Sequence, residues 1–415
     1  AAVVHGPGDQ DAARLTMRQR LHLINHHPLS RVFIVLLSAA LLSACAPVRP
    51  LPATATLAPT LAPTVVPTSV ASAPVIEPSV VLTYTNPVFA QDFPDPFVLT
   101  AEDGYYAYST NAAGRNIQVI YSPDLLHWER VGQNGDALPK LPAWARPNAG
   151  LTWAPSVLQR GDEYILYYVA RYRDVDYQCI SYAVSDSPAG PFVDQSDAPF
   201  ICQVDEGGSI DPEPFVDDDG AAYLIWKSDA NALELDPWIY SQRLSDDGRS
   251  LVGEAARLIT RDQDWEEPLV ENPSMVLFDG VYYLIYSANW WESGDYAMGY
   301  AICDGPLGPC EKPWDEPFFS QYTNRIGGEI GTGGGSFFRD HDGNVWMAYH
   351  AWRSPSAGYG AGGQRRLSLA RMEFLDEEPL VIRPEQNNWS NKMTTRTRIS
   401  LDGAWDFQID PDLGA

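Results

Sequence analysis

The chain has 415 residues, of which 45% are hydrophobic and 12% aromatic, enough for a substantial buried core. Its 54 acidic and 28 basic side chains give a formal net charge of −26. A protein this acidic would repel the phosphate backbone of a nucleic acid, whereas a neutral polymer such as a polysaccharide carries no such penalty. The charge therefore argues against a nucleic-acid partner.

Residues 1–45 are typical of a targeting segment that follows a few upstream residues, with Met17 as the first plausible start. Basic residues precede an apolar run over 32–42, which is shorter than a membrane span and typical of a signal-peptide core. The run ends in Leu-Ser-Ala-Cys at 42–45, which resembles a bacterial lipobox. We therefore expect an exported lipoprotein, held on the cell surface or the periplasmic side of the membrane only by lipid on Cys45. Plain secretion with cleavage nearby is the alternative.

Residues 46–80 are rich in Pro, Thr, Ala and Val and carry almost no charge. This composition favours an extended, semi-rigid tether over a packed element. The segment is therefore predicted to be a linker that holds the following domain away from a membrane surface.

Five times along residues 84–382 a turn glycine is followed by a short strand rich in Tyr, Trp and β-branched residues. The steps between these glycines are about 57, 59, 60 and 63 residues, the period of propeller blades and not of helical solenoids. They are Gly104, Gly161, Gly220, Gly280 and Gly343. About 60 residues for each of five blades fill this span as one compact unit. The sequence predicts an all-β fold, a five-bladed β-propeller.

Three acidic residues recur with this repeat. Asp95, Asp211 and Glu271 stand about nine positions before the first, third and fourth turn glycines, and each is followed within two residues by a proline. Taken singly, each is a strand-entry turn signal. Equivalent places in different blades converge near the propeller axis. Like charges crowded there destabilise the fold unless a proton, metal or substrate uses them, so we expect a functional cluster.

Clustered carboxylates without a nucleophile or cofactor motif suit glycoside hydrolysis. One protonated acid donates to the leaving oxygen, and one carboxylate activates a water molecule. A third acid would tune the pKa of the proton donor. The residues alone assign neither the three roles nor the stereochemical outcome, because both need the distances between the acids. A non-catalytic propeller that binds oligosaccharide is the alternative from another functional class.

Four phrases in chain order resemble glycoside hydrolase family 43: Pro94-Asp95-Pro96, Trp153-Ala154-Pro155-Ser156, Ile210-Asp211-Pro212 and Glu271-Asn272-Pro273. The resemblance implies a five-bladed propeller and inverting hydrolysis. It further implies that Asp95 is the general base, Glu271 the general acid and Asp211 the modulator of its pKa. Asn272 is a departure, since glycine or alanine is common at that place in the family.

The same resemblance implies a plant cell-wall polysaccharide or oligosaccharide as substrate. We expect release of L-arabinofuranosyl units from arabinan or arabinoxylan, on the general resemblance of blades four and five. β-Xylosidase activity on xylo-oligosaccharides is the alternative. No cofactor is required.

Further site residues are expected around the acids. The resemblance places His350 on the axis, beside a structural calcium or other ion, and matches Arg365 to a sugar-binding arginine slightly better than Arg366. Aromatic faces present an apolar surface to sugar rings, so a stacking platform is predicted, although each candidate could instead be a core residue. The candidates are Trp153, Trp290 and Trp291.

Four cysteines remain after Cys45, an even number that suggests disulfides in an exported protein. The simplest of three connectivities pairs Cys179 with Cys202 and Cys303 with Cys310. Beyond the propeller, residues 383–415 form a tail in which 399–407 resembles the opening strand of family 2 glycoside hydrolases. The tail is either the truncated start of a second domain or a segment that lies on the propeller.

Overall fold

The computed structural model describes residues 84–147, 150–323 and 328–382. The predicted targeting segment with Cys45, the linker 46–80 and the tail 383–415 lie outside these residues. Within the described ranges no helix is long and apolar enough to cross a membrane.

The described residues form twenty strands and four short 3-10 helices. The strands are β1 (Phe89–Asp92), β2 (Phe97–Ala101), β3 (Gly104–Ser109), β4 (Gln118–Ser122), β5 (Glu129–Arg130), β6 (Trp153–Arg160), β7 (Glu163–Arg171), β8 (Gln178–Ser185), β9 (Ser209–Val216), β10 (Ala222–Ser228), β11 (Trp238–Leu244), β12 (Leu251–Thr260), β13 (Val270–Phe278), β14 (Val281–Ala288), β15 (Ala297–Cys303), β16 (Cys310–Glu311), β17 (Glu329–Arg339), β18 (Val345–Arg353), β19 (Arg366–Leu375) and β20 (Glu378–Ile382). The 3-10 helices are Val204–Glu206, Ala230–Leu233, Asp264–Glu266 and Tyr359–Ala361.

Five antiparallel sheets follow one another along the chain, which confirms the predicted five-bladed propeller. The first four are β2–β5, β6–β8, β9–β12 and β13–β16. The fifth contains β17–β20 together with β1, which pairs with β19 so that Phe89 lies opposite Leu367. The first strand of the described chain thus completes the last blade, and this pairing closes the ring. The Asn86 side chain reinforces the closure through hydrogen bonds to both backbone groups of Leu369.

The core lies between neighbouring blades. Because side chains alternate across a strand, each central strand contributes to two interfaces. In β10, Leu224 packs toward the second blade and Ile225 toward the fourth, and both are fully buried. In β7, Tyr167 and Tyr168 divide in the same way. The aromatic strands that follow the turn glycines therefore fill the spaces between blades.

Two disulfides are present, between Cys179 and Cys202 and between Cys303 and Cys310. These are the two pairs that the sequence suggested. The first links β8 to the segment before Val204–Glu206, and the second links β15 to β16.

Candidate active site

In or just before the inner strand of each blade, one residue in the left-handed backbone region lies at the axis. These five residues surround a small axial cavity of 20 Å³ and form what we call the axial ring. They are Asp95 (φ 50°), Ala154 (38°), Asp211 (56°), Asn272 (47°) and Gly334 (60°). A positive φ is uncommon for residues other than glycine, so its recurrence at four of them marks equivalent places in the repeat.

Glu271 does not belong to the axial ring, although the spacing to the turn glycines predicted matched positions for all three acids. Asn272 occupies the ring position in the fourth blade, and Glu271 is the residue before it. The turn glycine takes a different place in the two hairpins, which explains the error: Gly104 opens β3 and pairs with Ala101, whereas Gly280 lies in the turn between Phe278 and Val281. Nine positions separate Asp95 from its turn glycine Gly104, whereas eight separate Asn272 from Gly280.

The three acids nevertheless line one cavity of 630 Å³. The same cavity is lined by the four predicted sugar-contacting residues, which are Trp153, Trp290, Trp291 and Arg365. Blades one, three and four supply the acids, so residues far apart in sequence meet at the axis as the repeat predicted.

Asp95 is held in its ionised form. Its Oδ1 lies 3.1 Å from Nη1 of Arg365, and its Oδ2 accepts a 2.6 Å hydrogen bond from the Thr110 hydroxyl. Burial alone would raise the pKa of Asp95, but the guanidinium and the Thr110 hydroxyl outweigh it and hold the pKa below its usual value. An ionised carboxylate here can accept a proton from water.

Asp211 has the opposite environment. Its Oδ2 accepts a 2.9 Å hydrogen bond from the backbone N–H of Asn272. Burial, followed by repulsion from Glu271, raises the pKa of Asp211 well above its usual value. Asp211 therefore retains its proton at a pH where an isolated acid would lose it.

Both oxygens of Glu271 have donors. Nζ of Lys227 lies 3.2 Å from Oε2, and the hydroxyl of Tyr296 donates to Oε1 at 2.9 Å. The Tyr296 ring fits only because residue 333 is glycine, since a Cβ there would lie 2.0 Å from the ring. Sequence reasoning missed Lys227 and Tyr296. The one available signal was a lysine inside the otherwise apolar strand β10.

His350 supports Asp95 from beneath. It is fully buried, its Nδ1 accepts the Asp95 backbone N–H at 3.1 Å, and its ring stacks on Tyr296. Burial, assisted by Arg365, lowers the pKa of His350 to about 3. The neutral ring therefore accepts at Nδ1 and carries its proton on Nε2, which is buried without a hydrogen-bond partner in the described part of the chain.

The donor set around His350 does not fit the expected axial ion. Among the described residues no group of three or more His, Cys, Asp or Glu side chains could hold a metal. Nδ1 already accepts the Asp95 N–H, and Nε2 carries the ring proton, so neither nitrogen has a lone pair free for a metal. We therefore treat His350 as a support for Asp95 and not as a metal ligand.

One wall of the cavity is aromatic. The Arg365 guanidinium lies 4.6 Å from the centre of the Trp291 ring, and Trp290 is 46% exposed, so its face is open to a ligand. Asp92, which sequence reasoning missed, anchors this wall by accepting hydrogen bonds from the Tyr359 hydroxyl and the Arg365 backbone. Arg366 is not among the residues lining the cavity, so the structure favours Arg365 of the two arginines.

The model of glycosyl hydrolases family 43 matches residues 84–379. The chain belongs to this family. It is a glycoside hydrolase, and the family works without a cofactor. It is 26% identical over 279 residues to the β-D-galactofuranosidase xynD of Aspergillus niger, a match that covers 64% of this chain and 75% of the relative. A xylosidase/arabinosidase of Butyrivibrio fibrisolvens is 26% identical over 209 residues, covering 49% of this chain and only 38% of the relative.

Among solved structures, a thermostable family-43 glycoside hydrolase superposes with a TM-score of 0.65 at 32% identity. This match covers 74% of the chain and 98% of the solved structure. The propeller alone thus accounts for nearly the whole of that enzyme.

Proposed function

We propose that this glycosidase removes L-arabinofuranosyl units from arabinan or arabinoxylan of plant cell walls, with inversion at the anomeric carbon. The observation that carries the proposal is the asymmetry of the carboxyl groups in one cavity. Asp95 is kept ionised by Arg365, whereas Asp211, which faces Glu271, retains a proton. Acid and base catalysis need this division.

In the proposed mechanism Asp95 is the general base. It takes a proton from a water molecule as the water oxygen attacks the anomeric carbon. Glu271 is the general acid, and its proton passes to the leaving glycosidic oxygen as the carbon–oxygen bond breaks. Asp211 is the modulator in this mechanism, a buried carboxyl group that interacts electrostatically with Glu271. Trp290 and Trp291 contact the sugar faces, and Arg365 contacts the sugar hydroxyl groups.

The names of the relatives support an arabinofuranoside as substrate. One relative is named for a furanoside and the other for pentosides. L-Arabinofuranose is both a furanose and a pentose. β-Xylosidase activity is the second candidate, because the xylosidase/arabinosidase name includes it.

A panel of nitrophenyl glycosides tests the substrate. We expect release from the α-L-arabinofuranoside above that from the β-D-xyloside and the β-D-galactofuranoside. Proton spectra of the first product should show the inverted anomer. Release from the β-xyloside alone would reverse our order of candidates.

Substitution of the acids separates a hydrolase from a sugar-binding propeller. Glu271→Gln and Asp95→Asn should each lower turnover of arabino-oligosaccharides by about 10²- to 10⁴-fold while oligosaccharide affinity is retained. Asp218→Asn is the matched control, because this acid lies in an exposed turn of the third blade. Hydrolysis retained in Glu271→Gln would contradict the assigned roles.

We further propose that the enzyme is exported and anchored by lipid on Cys45. The support for this proposal is the sequence of residues 1–45 alone, which lies outside the described part of the chain.

A further inference from the structure

Lys227 is a buried lysine in the wall of the cavity, and the assigned roles do not include it. It lies in β10 with its side chain 1% exposed. Its Nζ is 3.2 Å from Oε2 of Glu271 and 3.7 Å from Oδ1 of Asp229. A buried ammonium is costly unless it is paired. Its position against the general acid therefore calls for a function.

The charged groups around Lys227 come from several elements. Glu271 on β13, Asp229 after β10 and Asp211 on β9 face it, while Asp95 acts on Asp211 and Arg171 on β7 acts on Asp229. Burial alone would lower the pKa of Lys227, but the three nearest carboxyl groups outweigh it and raise the pKa. Lys227 is therefore a permanent positive charge beside the acid.

The hydrogen bonds indicate which oxygen of Glu271 carries the catalytic proton. Tyr296 has one hydroxyl proton and two acceptors, Oε1 of Glu271 at 2.9 Å and Oδ1 of Asn272 at 3.0 Å. When Glu271 is protonated on Oε1, the Tyr296 proton can turn to Asn272. Lys227 can only donate, so the Oε2 that it contacts at 3.2 Å remains an acceptor. The proton of the acid thus belongs on Oε1.

We propose that Lys227 is a positioning residue that fixes the plane of the Glu271 carboxyl group and sets the alkaline limit of the enzyme's activity. The inference rests on the proposed role of Glu271 as general acid. An ammonium next to a carboxyl group stabilises its ionised form and so lowers its pKa. Because the acid must be protonated to react, the positive charge of Lys227 shifts the alkaline limb of the activity profile to a lower pH. Asp211 and Asp229 act in the opposite direction.

The test is the pH dependence of kcat/KM on an arabinofuranosyl disaccharide, whose leaving alcohol needs the proton of the acid. Lys227→Met should move the alkaline limb upward by about one unit or more and lower the activity on the plateau about tenfold or more. Lys227→Arg keeps the charge and should keep the limb. Asp229→Asn removes a negative charge and should move the limb downward.

Lys312→Met is the matched control. Lys312 is also buried and binds a fully buried acid, Glu266, but it does not line the cavity. The loss of Lys312 should lower stability and leave the alkaline limb in place. A shift seen in Lys227→Met but not in Lys312→Met is therefore not a general effect of losing a buried lysine.

An unmoved alkaline limb in both Lys227→Met and Asp229→Asn would overturn the inference while leaving the proposed function intact. If Lys227→Met does not fold, the downward shift in Asp229→Asn decides alone. An active Glu271→Gln variant would instead overturn the role of Glu271. The two failures are therefore distinguishable.

Discussion

Arg365→Met tests how the general base is kept ionised. The guanidinium lies 3.1 Å from Oδ1 of Asp95, and the side chains are only 9% and 13% exposed. At an effective dielectric constant of about 20, two unit charges at this distance interact by about 5 kcal/mol, an upper limit of about 4 pKa units. Opposite charges this close shift carboxyl pKa values by about 1 to 3 units in proteins. We expect a rise of about 2 units in the pKa of Asp95.

The sign of the effect follows from the role of Asp95. The base must be ionised, so kcat/KM falls on the acid side as Asp95 is protonated. Arg365 keeps that pKa low, and its removal raises it. The acid limb should therefore move to higher pH by about 2 units, and Arg365→Lys, which keeps the charge, should restore part of the shift.

The assay is kcat/KM on the arabinofuranosyl disaccharide from about pH 3 to pH 9, a range wide enough to show both limbs. Methionine keeps an unbranched apolar side chain without the charge, so the loss of charge dominates. Arg366→Met is the control, since this neighbouring arginine does not line the cavity. An acid limb that stays in place in Arg365→Met would refute the view that Arg365 sets the ionisation of Asp95.

Two further predictions concern packing at the axis. A Cβ on Gly333 would lie 2.0 Å from the Tyr296 ring, so Gly333→Ala should displace that ring from Glu271. We expect this variant to lower the free energy of unfolding by about 1–3 kcal/mol and to reduce kcat. The control is Gly360→Ala, which has open space around it and should change neither quantity. Burial raises the pKa of Glu213 from 4.5 to about 8. The protonated side chain therefore stabilises the fold fully below pH 4.5, and this stabilisation is lost as the pH rises through 8. Urea unfolding should therefore show Glu213→Gln more stable than the parent at pH 9 by at most about 5 kcal/mol and similar to it at pH 4, and equal differences at both pH values would contradict this.

Much of the fold could be predicted because each blade repeats the same local signals. A turn glycine followed by alternating aromatic and β-branched residues specifies a hairpin, and five hairpins at one period specify the ring. The closing pair of β1 with β19 could not be read in the same way. It joins residues that are far apart in sequence, and no local pattern records which sheet a lone strand will enter.

Asp95 and Asp211 could be predicted because they recur with the repeat, and Glu271 because it stands one residue from that place, whereas their partners could not. The partners do not recur from blade to blade. They lie in or beside strands whose other residues are mostly core, and they are Thr110, Lys227 and Tyr296. Their function depends on which face of a strand points into the cavity and on what faces it from another blade. A bulge at the start of the inner strands changes that face, and its register is not visible in the sequence.

The one-residue displacement of Glu271 has a consequence for the chemistry. Residues just before the axial ring (Trp153, Ile210 and Glu271) line only the 630 Å³ cavity. The ring acids Asp95 and Asp211 line both cavities, and the residues two places further on (Phe97, Glu213 and Ser336) line only the axial one. A step of one residue along an inner strand thus moves a side chain from the floor of the site to its wall. An inverting enzyme needs its acid and its base on opposite sides of the sugar, with room for a water molecule at the base. Three acids at matched positions would all lie on the floor. In the proposed mechanism, the place of Glu271 one residue before the axial ring is what lets it reach the leaving oxygen from the wall while Asp95 works from the floor.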